Sequence, residues 1–172
     1  MNSGQTFLHH LLQQSGATIL ADNQLRFTEQ PVDYPELQQQ NTITPLIHLG
    51  VIILEGPDAI KFLQGQVTCD VQQINRQKSL VGARCNPKGR ALTNFYLLSP
   101  GDDKLCLVMD RALVAPSIEE LAKYAAFFKV ELTDASSQLV VMGLSGPNPD
   151  CPSDVSCYPI AGNRHLIIAA EN

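Results

Sequence analysis

The chain has 172 residues, of which 44% are hydrophobic and 17% charged, and its formal net charge is -5. This length suits one domain with a hydrophobic core, so we expect a single domain over residues 1–172. No basic run or stripe accompanies the acidic balance, which argues against direct binding of RNA or DNA.

The predicted elements, in chain order, mix helices and strands without regular β-α-β alternation. A short helix is predicted over 5–15, a polar Gln-rich loop over 28–42, a buried strand over 46–54 and a helix over 57–65. Strands over 79–85, 90–98 and 104–109, separated by turns at 86–90 and 99–103, form an antiparallel meander. A helix starts at the capping box of residues 117–120, strands follow over 130–132, 138–144 and 164–170, and a loop covers 146–152. The predicted fold class is α+β, an antiparallel sheet meander with packed helices, preceded by a helix and polar connecting segment over 1–42.

Cysteine and histidine spacing gives no sign of a metal site. The cysteines, an odd number without a C-x-x-C pair, stand at positions 69, 85, 106, 151 and 157. This spacing suits neither a disulfide framework nor a zinc or iron–sulfur ligand set, so reduced cysteines are expected.

The N-terminus lacks the pattern of a signal peptide, and the apolar run at 49–54 is too short for a bilayer. We therefore expect a cytoplasmic protein without a membrane segment.

The most informative segment is the predicted hairpin over 79–98, whose turn Asn86–Arg90 reads Asn-Pro-Lys-Gly-Arg. The proline presets a backbone angle and the glycine supplies the freedom that a sharp reversal needs. Lys88 and Arg90 are thereby presented from a stiff turn that can hold a carboxylate or a phosphate. The alternative is a pair of solvated charges at a hairpin tip.

Three stretches of the chain resemble one known family. Leu49–Val71 is similar to the signature G-x-D-x-x-x-(F/Y)-(L/M)-Q-G-Q-(V/L)-T-x-D-V of the YgfZ-type folate-binding proteins, relatives of the glycine cleavage T-protein, an aminomethyltransferase. Arg84–Leu98 resembles the family's C-(N/D)-x-K-G-(R/K) hairpin, and Leu121–Leu132 its L-x-K-Y-x-x-F-x-K-V segment. The resemblance extends over residues 43–172.

The resemblance implies the α+β folate-binding fold of the T-protein and tetrahydrofolate as the ligand. It also implies a cytoplasmic accessory role in the assembly or repair of iron–sulfur enzymes, with an indirect effect on tRNA modification. The expected partners are therefore folate and iron–sulfur client enzymes, and the oligomeric state stays open. The family motif K-G-C-Y-x-G-Q-E is absent, and family members continue with a second half, so the chain resembles their N-terminal half only.

The resemblance also selects six candidate folate contacts: Leu49, Gln64, Gln66, Lys88, Arg90 and Asn94. Asn94 can match the donors and acceptors of a pterin edge, or be a polar residue on the open face of a strand. Gln64 and Gln66, on either side of Gly65 near a helix end, contact the ligand or cap the backbone. Leu49 stands where some relatives place an aromatic that stacks on the pterin. The two cations of the turn would attract the glutamate tail of folate.

The residues that match the T-protein's acidic pair argue against catalysis. That enzyme needs a carboxylate near the folate nitrogens to position and protonate the reacting amine. The matching positions, Thr93 and Asn94, carry no ionisable group, so no catalytic residue is assigned. Beside the accessory role, two alternatives stay open: a folate-dependent aminomethyltransferase of the glycine cleavage type, and an interaction fragment that binds no small ligand.

Overall fold

The computed structural model of the chain describes residues 16–20, 25–27, 39–101, 103–147, 149, 151 and 155–170. The described residues divide into two compact units. One is Leu49–Ser136, and the other comprises the described residues before 49 and after 136. The predicted helix over 5–15 and most of the predicted loop over 28–42 lie outside the described residues. The expectation of one domain over residues 1–172 stays a prediction.

The elements of the described chain are mostly strands, with two α-helices. The strands are β1 (Ala17–Ile19), β2 (Leu25–Phe27), β3 (Thr42–Pro45), β4 (Leu49–Glu55), β5 (Leu80–Cys85), β6 (Ala91–Gly101), β7 (Lys104–Asp110), β8 (Glu131–Asp134), β9 (Leu139–Ser145), β10 (Ser156–Pro159) and β11 (Arg164–Ala170). The helices are α1 (Ala59–Gln64) and α2 (Val114–Ala125). All pairings are antiparallel, in a five-stranded sheet β5-β6-β7-β4-β8, a four-stranded sheet β10-β11-β9-β3 and the hairpin β1-β2. The predicted α+β class and the meander β5-β6-β7 are confirmed.

One face of the five-stranded sheet, here called the packed face, carries the core of its unit. Alternate side chains of the strands point to this face, where they pack against both helices. The largest fully buried members are Ile52, Leu54, Phe62, Leu63, Leu97, Leu105, Leu107 and Leu121. In the other unit a smaller cluster of Val140, Met142, Leu144 and Ile167 joins β9 to β11.

The predicted strand over 46–54 is wrong at its start, because two strands of different sheets meet there. The Leu46 amide donates to the Val141 carbonyl at 2.9 Å, which extends the pairing of β3 with β9. A turn at residues 47–48 then leads into β4, which pairs with β7 and β8. The apolar run alone cannot reveal this change of sheet, because Leu46 and Ile47 are as apolar as the residues of β4 that follow them.

The capping box predicted at Ser117 is also wrong. A 3₁₀ turn over Arg111–Leu113 leads directly into α2, so Ser117 lies inside the helix and is buried. The start is instead fixed by Asp110, whose carboxylate accepts a hydrogen bond from the Ala112 amide at 2.9 Å. A proline in the first turn is compatible with this start, because the amides there have no intrahelical acceptor.

Other boundaries differ where long-range pairing decides them. β6 continues to Gly101 across a bulge, so the predicted turn over 99–103 starts too early. The predicted helix over 57–65 is confirmed as α1, although the Asp58 carboxylate accepts from the Lys129 amide at 2.9 Å instead of capping it. Strands β1, β2, β3 and β10 were not predicted. The expectation of reduced cysteines is wrong at one pair, since Cys151 and Cys157 form a disulfide that ties the preceding loop to β10.

Candidate functional site

The turn between β5 and β6 is held by its own hydrogen bonds. The Asn86 side-chain oxygen accepts from the amides of Lys88 and Arg90, each at 3.0 Å. The Asn86 amide donates to the Arg90 carbonyl, and the Gly89 amide donates to the Asn86 carbonyl, both at 2.9 Å. Gly89 has φ of +75°, a conformation that favours glycine. The predicted stiff turn is confirmed, with both cationic side chains exposed.

Beside this turn, the second face of the five-stranded sheet is open to solvent over β5 and β6. Val81 pairs with Tyr96 and Ala83 with Asn94, so these four residues share one face, and alternation adds Leu92. Val81 is 71% exposed and Leu92 46% exposed, whereas Phe95, on the packed face, is only 4% exposed. We call Val81, Ala83, Leu92, Asn94 and Tyr96 the open face.

The same face continues across β7 to the start of β4, where Leu49 lies. Val51 pairs with Val108, and Val108 with Tyr96, which puts these three side chains on one side of the sheet. Leu49, two residues before Val51, is half-buried on that side. The structure therefore brings the predicted residues Leu49 and Asn94 to one face.

The predicted residue Gln64 is placed elsewhere. It ends α1, which packs against the packed face, and its side-chain oxygen accepts from the Val71 amide at 2.7 Å. This is the backbone-binding alternative that the sequence left open. Ligand contact by Gln64 stays a prediction.

The half-buried Gln66 begins the segment that leads from α1 to the edge of the five-stranded sheet. At that edge the Thr68 amide donates to the Ala83 carbonyl, and the Ala83 amide donates to the Thr68 hydroxyl, both at 2.9 Å. Because Ala83 pairs with Asn94, this segment borders the open face at the level of Asn94. Gln66 therefore lies near the border of the open face, two residues before the anchored Thr68.

A further cation of the hairpin, Arg84, points to the packed face. Arg84 is 9% exposed, and its guanidinium lies 3.6 Å from the Glu120 carboxylate on α2. The Lys123 ammonium beside Glu120 holds the pKa of that carboxyl below its usual range, and Arg84 adds to the effect. Arg84 thus links the hairpin to α2 and is distinct in placement from the exposed pair Lys88 and Arg90.

The two residues that match the T-protein acids are split between the faces. Thr93 is buried on the packed face, where its hydroxyl donates to the Asn94 carbonyl at 3.2 Å. Of the two residues, only Asn94 is exposed, and it lies on the open face. Neither position supplies an acid, as the sequence indicated.

Two residues of this face were missed by sequence reasoning. Tyr96 follows Asn94 by two positions, so strand alternation could have placed its ring on the open face. Asp110 pairs with Leu49 at the end of β7 and therefore belongs to the same side of the sheet. No local pattern predicts this, because it depends on the register between β4 and β7.

Two cysteine thiols of the unit Leu49–Ser136 are kept protonated by burial. Burial raises the pKa of Cys106 to about 11 and also raises the pKa of Cys69. Within the described residues, no group of three or more His, Cys, Asp or Glu side chains is placed to hold a metal ion. No helix in the described part of the chain is long and apolar enough to cross a membrane.

Residues 8–150 match the family model of the GCVT N-terminal domain, and the chain belongs to this family. Among curated relatives, the tRNA-modifying protein YgfZ of Blochmanniella pennsylvanica is 32% identical over 131 residues, which cover 76% of this chain and 39% of the relative. The tRNA-modifying protein YgfZ of Colwellia psychrerythraea is 37% identical over 114 residues, covering 65% of this chain and 35% of the relative. The chain thus spans little more than a third of the length of these relatives.

The solved structures support the fold assignment. The glycine cleavage system aminomethyltransferase T from Bartonella henselae matches with a TM-score of 0.73 and 18% identity, over 95% of this chain and 52% of that one. A chain of the heterotetrameric sarcosine oxidase from Corynebacterium sp. U-96 matches with a TM-score of 0.54 and 13% identity, over 99% and 87% of the two chains. These likenesses confirm the predicted fold, and with the family match they confirm the resemblance given by the sequence motifs.

Proposed function

We propose that this chain binds tetrahydrofolate on the open face and acts as a cytoplasmic accessory protein in iron–sulfur enzyme assembly or repair. The observation that carries the proposal is the placement of Asn94 on an exposed, largely apolar sheet face next to a stiff turn with two cations. Membership of the GCVT N-terminal domain family supports folate as the ligand. The name of the relatives, tRNA-modifying protein YgfZ, supports a role in tRNA modification.

The side chains of the site match the pterin ring and the glutamate tail of a folate molecule. Val81, Leu92 and Tyr96 offer an apolar and aromatic surface to the flat pterin ring. The Asn94 amide, which has both donors and acceptors, can pair with the edge of that ring. Lys88 and Arg90 attract the carboxylates of the glutamate tail.

The same residues favour binding without group transfer. An aminomethyltransferase requires an acid beside the reacting amine, and Thr93 and Asn94 provide none. The formal charge of -5 and the absence of a basic stripe in the sequence favour an indirect effect on tRNA through client enzymes. Leu49 and Gln66 complete the proposed contacts at the two borders of the open face, and Gln64 acts by holding the backbone.

Calorimetric titration of tetrahydrofolate into the purified 172-residue chain tests this proposal. We expect saturable binding, weakened by Asn94→Ala. The double substitution Lys88→Ala, Arg90→Ala should weaken binding of the polyglutamate form more at low salt than at high salt, because salt screens exposed charges. Lys129→Ala, which removes an exposed lysine far from the turn in sequence, is the matched control.

Absence of saturable binding to the unmodified chain would reject folate binding and favour the interaction fragment. Conversion of an aminomethyl donor by the chain would reject the non-catalytic role. An affinity for the polyglutamate form that the double substitution leaves unchanged would remove the two cations from the site.

A further inference from the structure

Asp110 lies on the same side of the sheet as Asn94, one strand away. The last recorded pair between β6 and β7 on this side is Tyr96 with Val108. Asn94 and Asp110 each stand two residues beyond that pair, so alternation puts both on the face of Tyr96. On the opposite face, the Thr93 hydroxyl lies 3.9 Å from the Met109 sulfur, so the two strands are still side by side at this level.

The Asp110 carboxylate is held in place and keeps acceptor capacity. Its Oδ1 accepts from the Ala112 amide at 2.9 Å, which fixes the side chain at the start of the 3₁₀ turn. Within the described residues no donor is recorded for Oδ2. The residue is exposed, and each carboxylate oxygen has two lone pairs, so a ligand can approach it.

We propose that Asp110 recognises the pterin ring of the ligand by accepting hydrogen bonds from its 2-amino group and the adjacent ring N–H. This proposal rests on folate binding to the open face and names the group that selects the ring. The 2-amino-4-oxo edge of a pterin presents these two N–H donors side by side, and a carboxylate can accept both. The Asn94 amide on the neighbouring strand would then serve the acceptors of the same ring.

This assignment makes Asp110 a binding residue and gives it no proton to transfer. The carboxylate only accepts hydrogen bonds, and no covalent bond in the ligand is broken.

The test compares two ligands on matched variants. Asp110→Asn keeps an oxygen that can accept from the Ala112 amide, and Asn is a good residue at a helix start, but it removes the charge. The control is Asp134→Asn, because the Asp134 carboxylate also accepts from a backbone amide, that of Ser136 at 2.9 Å, while it pairs with Ile52 on the packed face. The ligands are tetrahydrofolate and its 2-desamino-2-methyl analogue, which lacks the amino donor.

Asp110→Asn should weaken tetrahydrofolate binding by about ten- to a hundredfold, as expected for hydrogen bonds to a charged group. The unmodified chain and Asp134→Asn should prefer tetrahydrofolate to the analogue by about tenfold or more, and Asp110→Asn should bind both ligands alike.

Equal affinity of Asp110→Asn and the unmodified chain for tetrahydrofolate would overturn the role of Asp110 while leaving folate binding intact. Equal affinity of the unmodified chain for tetrahydrofolate and the analogue would also overturn the role of Asp110 and leave folate binding intact. No binding of tetrahydrofolate to the unmodified chain would overturn both proposals.

Discussion

The side chains of strand β6 alternate between two faces of one sheet, and these faces differ in exposure and in contacts. On the packed face Phe95 and Leu97 are 4% and 0% exposed and contact the helices. On the open face Leu92 is 46% exposed and Asn94 is exposed as well. A single strand thus stabilises the unit with every second residue and offers the residues between to solvent. Stability and ligand binding should therefore be separable by substitutions at neighbouring positions.

The second face is itself divided. Val51, Leu98 and Val108 on this side are 0%, 0% and 1% exposed, so only the part between the pair Val81–Tyr96 and the β5–β6 turn is open. The exposed apolar residues Val81 and Leu92 share this part with the Asn94 amide, and Leu92 follows Arg90 of the turn by two residues. The folate ligand proposed above would cover these apolar residues.

The largest expected difference between the faces is in stability. Leu107→Ala on the packed face should lower the free energy of unfolding by about 2–5 kcal/mol, because it leaves a cavity at a side chain that is 1% exposed. Val81→Thr on the open face should change it by no more than about 0.5 kcal/mol, since the side chain is exposed and the β-propensity is kept. Urea denaturation followed by circular dichroism measures both. Equal losses would contradict the distinction between the faces.

Cys106 lies on the covered part of the second face, so the titration of its thiol tests whether that part is buried. Burial raises its pKa from 9.0 to about 11, so the folded state holds the thiol proton more tightly than the unfolded state does. The resulting stability is complete below pH 9 and is lost as the pH rises towards 11, at up to about 1.4 kcal/mol per pH unit. Denaturation under reducing conditions across this range should show a fall that Cys106→Ala reduces. An identical pH dependence in both proteins would indicate that Cys106 is not buried.

A smaller effect is expected where the packed face requires a glycine. A Cβ at Gly82 would stand 2.7 Å from the Cys69 sulfur and 2.8 Å from the Phe95 ring, so Gly82→Ala should cost about 1–3 kcal/mol. Gly65→Ala is the matched control, because its nearest contact would be 3.7 Å away and its φ of -84° suits alanine. The control should be neutral or stabilise by up to about 1 kcal/mol, chiefly through the unfolded chain. Thermal unfolding of both variants measures the difference, and a neutral Gly82→Ala would show that Cys69 and Phe95 can move aside.

The sequence predicted the fold class, the meander β5-β6-β7 and the stiff turn, because these follow from local alternation and turn chemistry. It was wrong at Ser117, where a 3₁₀ turn brings the helix start forward, and at residues 46–48, where the chain changes sheets. Lys88, Arg90 and Asn94 were identified from a motif on one hairpin. Asp110 was not, because the β4–β7 and β6–β7 registers bring distant segments together. The disulfide was missed because its spacing matched no framework.

The most direct test of the open face as the ligand site is a tetrahydrofolate titration followed by amide NMR chemical shifts of the full chain. We predict saturable shifts on the open face, in the turn and at Asp110, with smaller changes on the packed face around Leu107. Saturable shifts confined to other parts of the chain, or none at all, would contradict this account.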